Sequence, residues 1–316
     1  MKQALLYIAI TFFFLPSLKA EQTYDVVVAK DGSGDVTTVQ EAINTCRAYR
    51  TETRVIFIKN GIYKEKVVIP SFLGHIHIIG ESRDSTIITW DDHAGKNGLG
   101  TYQSHTFKVE GNDVVLENLT IENAAGRVGQ AVALHIDGDC VSVINCKLLG
   151  NQDTLYATGR LSRQYYKNCY IEGTTDFIFG SAIAVFDRCT IHSKTNSYIT
   201  AASTHEGLKF GYVFLDCKLT SDPEATRVYL GRPWRDFAQV VFIRCEMGGH
   251  IIPEGWHNWS QPNREKTTFY AEYGCKGPGA SREGRVSWSY ALTDEQAASY
   301  TLDNIFSLTT SWNPAK

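Results

Sequence analysis

From Val114 to Met247 the apolar and polar positions keep returning to one phrase: an apolar run, a polar residue, a cysteine, any residue, then an apolar residue. It reads VSVINCKL, YYKNCYI, VFDRCTI, VFLDCKL and VFIRCEM, with Cys146, Cys169, Cys189, Cys217 and Cys245 in one slot. VVLENLTI carries Leu119 in that slot one repeat earlier, and successive slots lie 27, 23, 20, 28 and 28 residues apart. Short β-rich segments broken by Gly, Asn and Asp at such a period predict a solenoid of stacked coils, because no coil buries its inner face alone. A β-sandwich also has many short strands, but they alternate more cleanly and return at shorter intervals. The drifting loop lengths suit loops that leave the corners of coils. The expected fold class is therefore all-β, a right-handed parallel β-helix.

The ends fit a solenoid, whose terminal coils must be covered. TTVQEAINTC carries a capping box, Thr38 with Glu41, and apolar Val39, Ala42, Ile43 and Cys46 at helical spacing, which predicts an N-terminal capping helix. TDEQAASY, with Thr293 and Gln296, predicts a short C-terminal helix on the far end or along one side.

The first twenty residues, MKQALLYIAITFFFLPSLKA, combine one Lys, an apolar stretch from Ala4 to Leu15, Pro16 and small residues near Ala20. This is too short to span a bilayer and matches a secretory signal cleaved after Ala20. Residues 21–316 are then expected as one secreted, soluble β-helix domain, extracellular or in a cell wall. A net charge of -3 and the lack of a long basic run argue against nucleic acid as a partner. All eight cysteines follow the leader, in a compartment that permits disulfides. Eight thiols allow on the order of a hundred pairings, and no CxxC pair suggests zinc. A small apolar side chain suits an inward ladder, so core packing is the expected role of the repeated cysteines, with a bridge between ladder neighbours left open.

Two carboxylates stand out against this apolar background: Asp153 in NQDTLY and Asp176 in TTDFIFG. Cys146 and Cys169 are 23 residues apart, and so are Asp153 and Asp176. If the cysteines stack, the acids stack too, roughly 4.8 Å apart. Like charges that close push one pKa up, so one acid can stay protonated while the other ionises. Gln130 lies 22 residues before Gln152, which brings two amide donors beside the acids in the same register. Arg232, in YLGRPWRD, supplies a cation able to hold Asp176 ionised. Tyr156, Phe177, Trp234 and Trp256 are candidates for flat platforms along a sugar-binding groove, although one of Phe177 and Phe179 must point into the core. Singly these are ordinary turn, surface and core residues; their convergence under one register is what points to an enzyme rather than a wall-binding β-helix.

The motifs QAVAL, NQDTLY, TTDFIFG and YLGRPW occur in this order, with DGSGDVTTVQEAI and GIYKEKV before them and EGWHNW after. In this the chain resembles the pectin methylesterases, or pectinesterases, over nearly its whole length beyond the leader. The resemblance implies a right-handed parallel β-helix and hydrolysis of the methyl esters of galacturonate in pectin, with no metal or organic cofactor and a monomeric enzyme. It implies Asp176 as nucleophile, Asp153 as general acid and then base, Gln130 and Gln152 as stabilisers of the tetrahedral intermediate, and Arg232 as the holder of Asp176. Tyr156, Trp234 and Trp256 match positions that line the family's cleft. Departures are Asn151 where Tyr is common, Thr175 for Val and His135 for Arg. Pectate lyases and polygalacturonases share fold and polymer, but Asp91 and Asp92 lack the surroundings of a calcium cluster. No GxSxG elbow supports a serine esterase.

Overall fold

The computed structural model describes residues 23–308 and 310–315, so the expected leader lies outside the described residues. The chain winds through three sheets in which every strand pairs in parallel with a strand of the next coil. An eleven-stranded sheet runs from Val26–Val28 to Tyr290–Ala291, an eight-stranded sheet from Gly61–Lys64 to Glu246–Met247, and a seven-stranded sheet from Val67–Ile69 to Tyr229–Pro233. Parallel connections of this kind coil in the right-handed sense. The all-β, right-handed parallel β-helix is the architecture, and the sandwich is not.

The repeated phrase is one corner of this helix. The polar residues before the ladder slot, Asn118, Asn145, Asn168, Arg188, Asp216 and Arg244, all have left-handed backbone, with φ between 50° and 57°. That conformation turns the chain sharply from the long sheet into the eight-stranded one, and a side chain with polar reach offsets part of its cost. Arg244 grips Asp216 one coil back with two bonds of 2.8 and 2.7 Å. Asn145 Nδ2 donates to Asn118 Oδ1 at 2.9 Å.

Next to each corner residue the ladder side chain points inward. The thiols of Cys146, Cys169, Cys189, Cys217 and Cys245 donate to the carbonyls of Leu116, Val143, Tyr166, Phe186 and Phe214 in the preceding coil. Cys275 extends the row by donating to Phe242 O. All eight cysteines are thiols, so the bridge left open between ladder neighbours is not formed. Side chains stacked in parallel register sit about 4.8 Å apart and point the same way, whereas a disulfide brings Cβ atoms to about 3.8 Å with a near-perpendicular torsion.

A second inward row is aromatic. Tyr166, Phe186, Phe214 and Phe242 are paired in register, with ring centroids 4.7, 4.4 and 4.3 Å apart and nearly parallel planes. The row ends at Glu272, opposite Phe242. This buried carboxylate accepts from Arg285 at 2.9 and 3.1 Å, and Arg285 in turn donates to the carbonyls of Ile252, Pro253 and Gly279. Both charges are thereby paired where an unpaired one would be costly.

The helix Val39–Asn44 has the expected capping box and buries Val39, Ala42 and Ile43 over the first coils. The C-terminal helix Asp294–Ala298 also has its capping box, and Leu302–Ile305 forms a further short helix. They lie along one side rather than over the far end: Ile305 and Phe306 pack on Tyr165, Val185, Val213 and Val241, the outward face of the long sheet. Buried Arg163 fastens this segment by donating to Phe306 O and Thr310 O while its fork holds Asp139.

Because Phe214 is fully buried in the middle of the aromatic row, Phe214→Ala is expected to destabilise the protein by about 3–5 kcal/mol. The shift in denaturant midpoint at constant m-value measures it.

Candidate active site

The seven-stranded sheet presents one outward row along the solenoid: Lys108, His135, Tyr156, Phe179, Ala201 and Arg232, each paired with the next. The chain enters this sheet from the eight-stranded one through a second set of corners, and two of these are Asp153 and Asp176. Their φ values are 66° and 50°. Aspartate tolerates the left-handed region better than most residues, so the same side chain turns the corner and puts a carboxylate at the sheet's edge. The register that aligns Leu155 with Ile178 aligns the two acids. Asp153 N donates to Thr175 O at 3.1 Å and Asp176 N to Tyr198 O at 2.8 Å, which ties both corners to the coil that follows.

A cavity of about 180 Å³ opens there, bounded by Gln130, Gln152, Asp153, Asp176, Arg232 and Trp234, with further walls from Tyr102, Phe179 and Trp259. Gln130 and Gln152 bridge one another in parallel, as their 22-residue spacing requires. Among the described residues neither side-chain amide has a protein partner, so both are free to meet a ligand. The wall bearing Tyr102 belongs to the segment 91–104. Buried Asn123 pins both ends of it by donating to Asp92 O and Ser104 O, and Ala94 N donates to Gln130 O.

Electrostatics separate the two acids. Both carboxyls are almost wholly buried. Burial leaves Asp176 above the ordinary carboxylate value, but Arg232 holds the rise down with a two-pronged grip, Nε to Oδ1 at 3.0 Å and Nη2 to Oδ2 at 2.7 Å. Burial raises Asp153 far above the usual carboxylate range, the neighbouring Asp176 charge adds to the rise, and Arg232 lowers it only from a distance. Asp176 therefore surrenders its proton first and Asp153 keeps its own. The guanidinium of Arg232 is itself held flat between two rings, 3.9 Å from the centre of Tyr198 and 3.7 Å from that of Trp259. Such stacking suits arginine and leaves its fork one orientation.

The structure thus brings together Asp153, Asp176, Gln130, Gln152, Arg232 and Trp234. Tyr156 lies beyond Phe179, their rings stacked at 4.4 Å, and lines an adjoining cavity of about 730 Å³ that Trp234 also borders. Arg160, His205, Arg235 and Arg264 reach this second space, so the cleft extends well past the acids along one side.

Two expected platform residues are elsewhere. Phe177 is fully buried: it follows the left-handed Asp176 at the corner and turns inward against Gly173, which leaves Phe179 as the outward aromatic. Trp256 is also interior, its ring 4.4 Å from Tyr270 and its Nε1 directed at Glu272 Oε1 at 3.4 Å. Its bridge to Gly231 faces it into the core, and Trp259, three residues on, takes the cleft position. The second Trp of the WHNW stretch was the available signal for Trp259. Tyr102 and Tyr198 had none, because loop reach and stacking partners are not written in strand periodicity. Of the departures noted above, Thr175 bonds Ser197 through hydroxyls at 2.8 Å, and His135 is buried beneath Tyr156 with Nε2 2.9 Å from Asp137.

Comparison with known proteins agrees with this architecture. The family model described as Pectinesterase matches residues 25–308. The chain is 40% identical over 286 residues to Pectinesterase 31 of Arabidopsis thaliana, covering 87% of this chain and 90% of that protein. Among solved structures, the pectin methylesterase from carrot is 33% identical and superposes with a TM-score of 0.86, covering 91% of this chain and 94% of that one. A pectin methylesterase solved in complex with a hexasaccharide is 29% identical, with a TM-score of 0.81 over 93% of this chain and all of that one. Match, identity and shared coils together make this chain a member of the pectinesterase family, an ester hydrolase built on a parallel β-helix.

Proposed function

We propose that the chain removes methyl esters from the galacturonate residues of pectin, releasing methanol, with Asp176 as nucleophile and Asp153 as the acid and base. The observation that carries this assignment is the asymmetry of the buried pair: Arg232 grips Asp176 by two hydrogen bonds, whereas Asp153 has no cation in contact among the described residues. A nucleophile must be ionised and an acid must hold a proton, and this arrangement provides one of each in a single cavity.

The reaction then runs in two halves. The Asp176 carboxylate attacks the ester carbonyl carbon, and the oxyanion that forms accepts N–H bonds from the Gln130 and Gln152 amides. Collapse of this tetrahedral species breaks the bond to the methoxy oxygen, which takes the Asp153 proton and departs as methanol. The sugar acid is left joined to Asp176 as an anhydride. Asp153, now a carboxylate, accepts a proton from water as the water oxygen adds to the same carbonyl carbon. The second collapse expels the Asp176 carboxylate and releases the galacturonic acid, whose proton passes to solvent. Both aspartates are back in their starting states.

Tyr156, Phe179, Trp234 and Trp259 offer rings on which a polysaccharide chain can lie, and the arginines of the larger cavity suit a polymer that gains carboxylates as it reacts. The hexasaccharide held by a relative supports an elongated ligand for this cleft. The apolar leader of residues 1–20 supports action outside the cell, on wall pectin.

Asp176→Asn is expected to abolish methanol release from esterified pectin while leaving the far-ultraviolet circular dichroism unchanged, since it removes the nucleophile at nearly constant volume. Retained turnover would refute the assignment. Arg232→Lys keeps the charge but loses the fork and the ring sandwich, so kcat should fall by about 10- to 100-fold, read in the same assay. Asp153→Asn tests the protonation state through stability. Because the folded-state pKa of Asp153 is raised, the stability of the protonated form is fully present in acid and is lost as pH rises through that value. The variant has no such loss, so its Tm should match wild type in acid and exceed it by about 2–4 °C at alkaline pH.

A further inference from the structure

His257 has no part in the chemistry above, yet it sits behind the residue that does most to set the state of Asp176. Its ring Nδ1 accepts the backbone N–H of Trp259 at 3.0 Å. A backbone N–H can only donate, so Nδ1 carries a lone pair and the imidazole is the neutral Nε2–H tautomer. The turn it closes is an unfavourable one: Trp259 and Ser260 are both left-handed, with φ of 58° and 53°. Two side-chain acceptors hold it, Nδ1 of His257 for Trp259 N and Oδ1 of Asn258 for Ser260 N at 2.9 Å. The indole placed by this turn covers one face of the Arg232 guanidinium, and Arg232 grips Asp176. An unbroken line of contacts therefore runs from the imidazole to the carboxylate.

Resting on the functional reading given above, we infer that His257 is a positioning residue for the esterase reaction, and that the enzyme is fully organised only while this imidazole is neutral. A proton on Nδ1 would point at the Trp259 N–H, turning an acceptor into a second donor. The strained turn, which a backbone bond from Gln261 N to Asn258 O also closes, then loses one of its two side-chain acceptors, Trp259 is released from Arg232, and the fork on Asp176 loses one of the rings that orient it.

The surroundings of the ring favour the neutral form. Tyr198 and Tyr229 pack against it with centroids 5.5 and 5.4 Å away, from the last two strands of the cleft sheet. Burial lowers the affinity of the imidazole for a proton and the charge of Arg232 lowers it further. Among the described residues no carboxylate lies within ion-pair distance of it. The proton therefore arrives on the acid side of the ordinary histidine range, and activity should fall there.

The test compares methanol release by wild type, His257→Asn and His257→Ala across pH, with kcat and KM separated. Asparagine offers Oδ1 to the N–H two residues on, as Asn258 already does for Ser260, and cannot gain a proton. In acid, His257→Asn should turn over at least about threefold faster than wild type when each is normalised to its own maximum. His257→Ala lacks the acceptor at every pH, so its kcat should drop by about tenfold throughout, with a smaller change in KM. Ring nitrogen-15 resonances of wild type should report an Nε2–H tautomer that protonates together with the wild-type fall in kcat, a readout that stands even if the alanine variant does not fold. Superimposable normalised profiles for wild type and His257→Asn, or an Nδ1–H tautomer, overturn the inference while leaving the esterase reading intact. Wild type that releases no methanol overturns both.

Discussion

Parallel hydrogen bonding in strict register is the constraint from which the rest of this molecule follows. Each coil donates and accepts along its whole length with the coils before and after, so equivalent residues are held one above another at a strand's spacing. Like is placed over like: cysteine over cysteine, phenylalanine over phenylalanine, aspartate over aspartate. For apolar residues this is favourable without further provision, since flat rings stack and small thiols fill the space between them. For carboxylates it is unfavourable, since two negative groups are forced together with little water.

The cleft exists because that unfavourable placement is tolerated at one point and balanced at one point only. Asp187 and Asp216 also lie at coil edges, but neither has an acid above it in register, since Asp187 pairs with Leu215, and each has an arginine of its own in contact. At the Asp153–Asp176 pair a single arginine serves two acids, and it is fastened to one of them. The resulting imbalance gives two chemically identical side chains different proton affinities. A protein that needed only stability would gain by replacing Asp153, which is the kind of local loss expected at a functional position.

Rigidity has the same origin. The acids project from corners whose backbone is bonded on to the next coil, and the amides sit on a bridge between coils. The parts that close over them come from outside the coil pattern: the segment 91–104, pinned by Asn123, and the turn 257–260, pinned by His257 and Asn258. The cavity thus combines a floor that the solenoid holds in place with walls whose position depends on a few side-chain hydrogen bonds. A buried polar group that satisfies several carbonyls at once serves such attachments: Asn123 does so for the segment 91–104, and Arg163 does the same where the C-terminal segment is fastened along the long sheet.

Local chemistry and equal spacing were enough to establish the repeating coils, the cysteine ladder, both capping boxes and the pairing of Asp153 with Asp176, because each depends on intervals counted along the chain. Convergence of Gln130, Gln152 and Arg232 on that pair followed from the same register. What the linear order could not decide was side-chain direction next to a corner. A left-handed residue breaks the two-residue alternation, so Phe177 goes inward and Phe179 outward, and Trp256 is core while Trp259 reaches the cleft. The state of the thiols, the path of the C-terminal segment along the long sheet and the ring sandwich around Arg232 were likewise left to the tertiary structure. Each is set by contacts between residues far apart in the chain, where no periodic signal connects the partners.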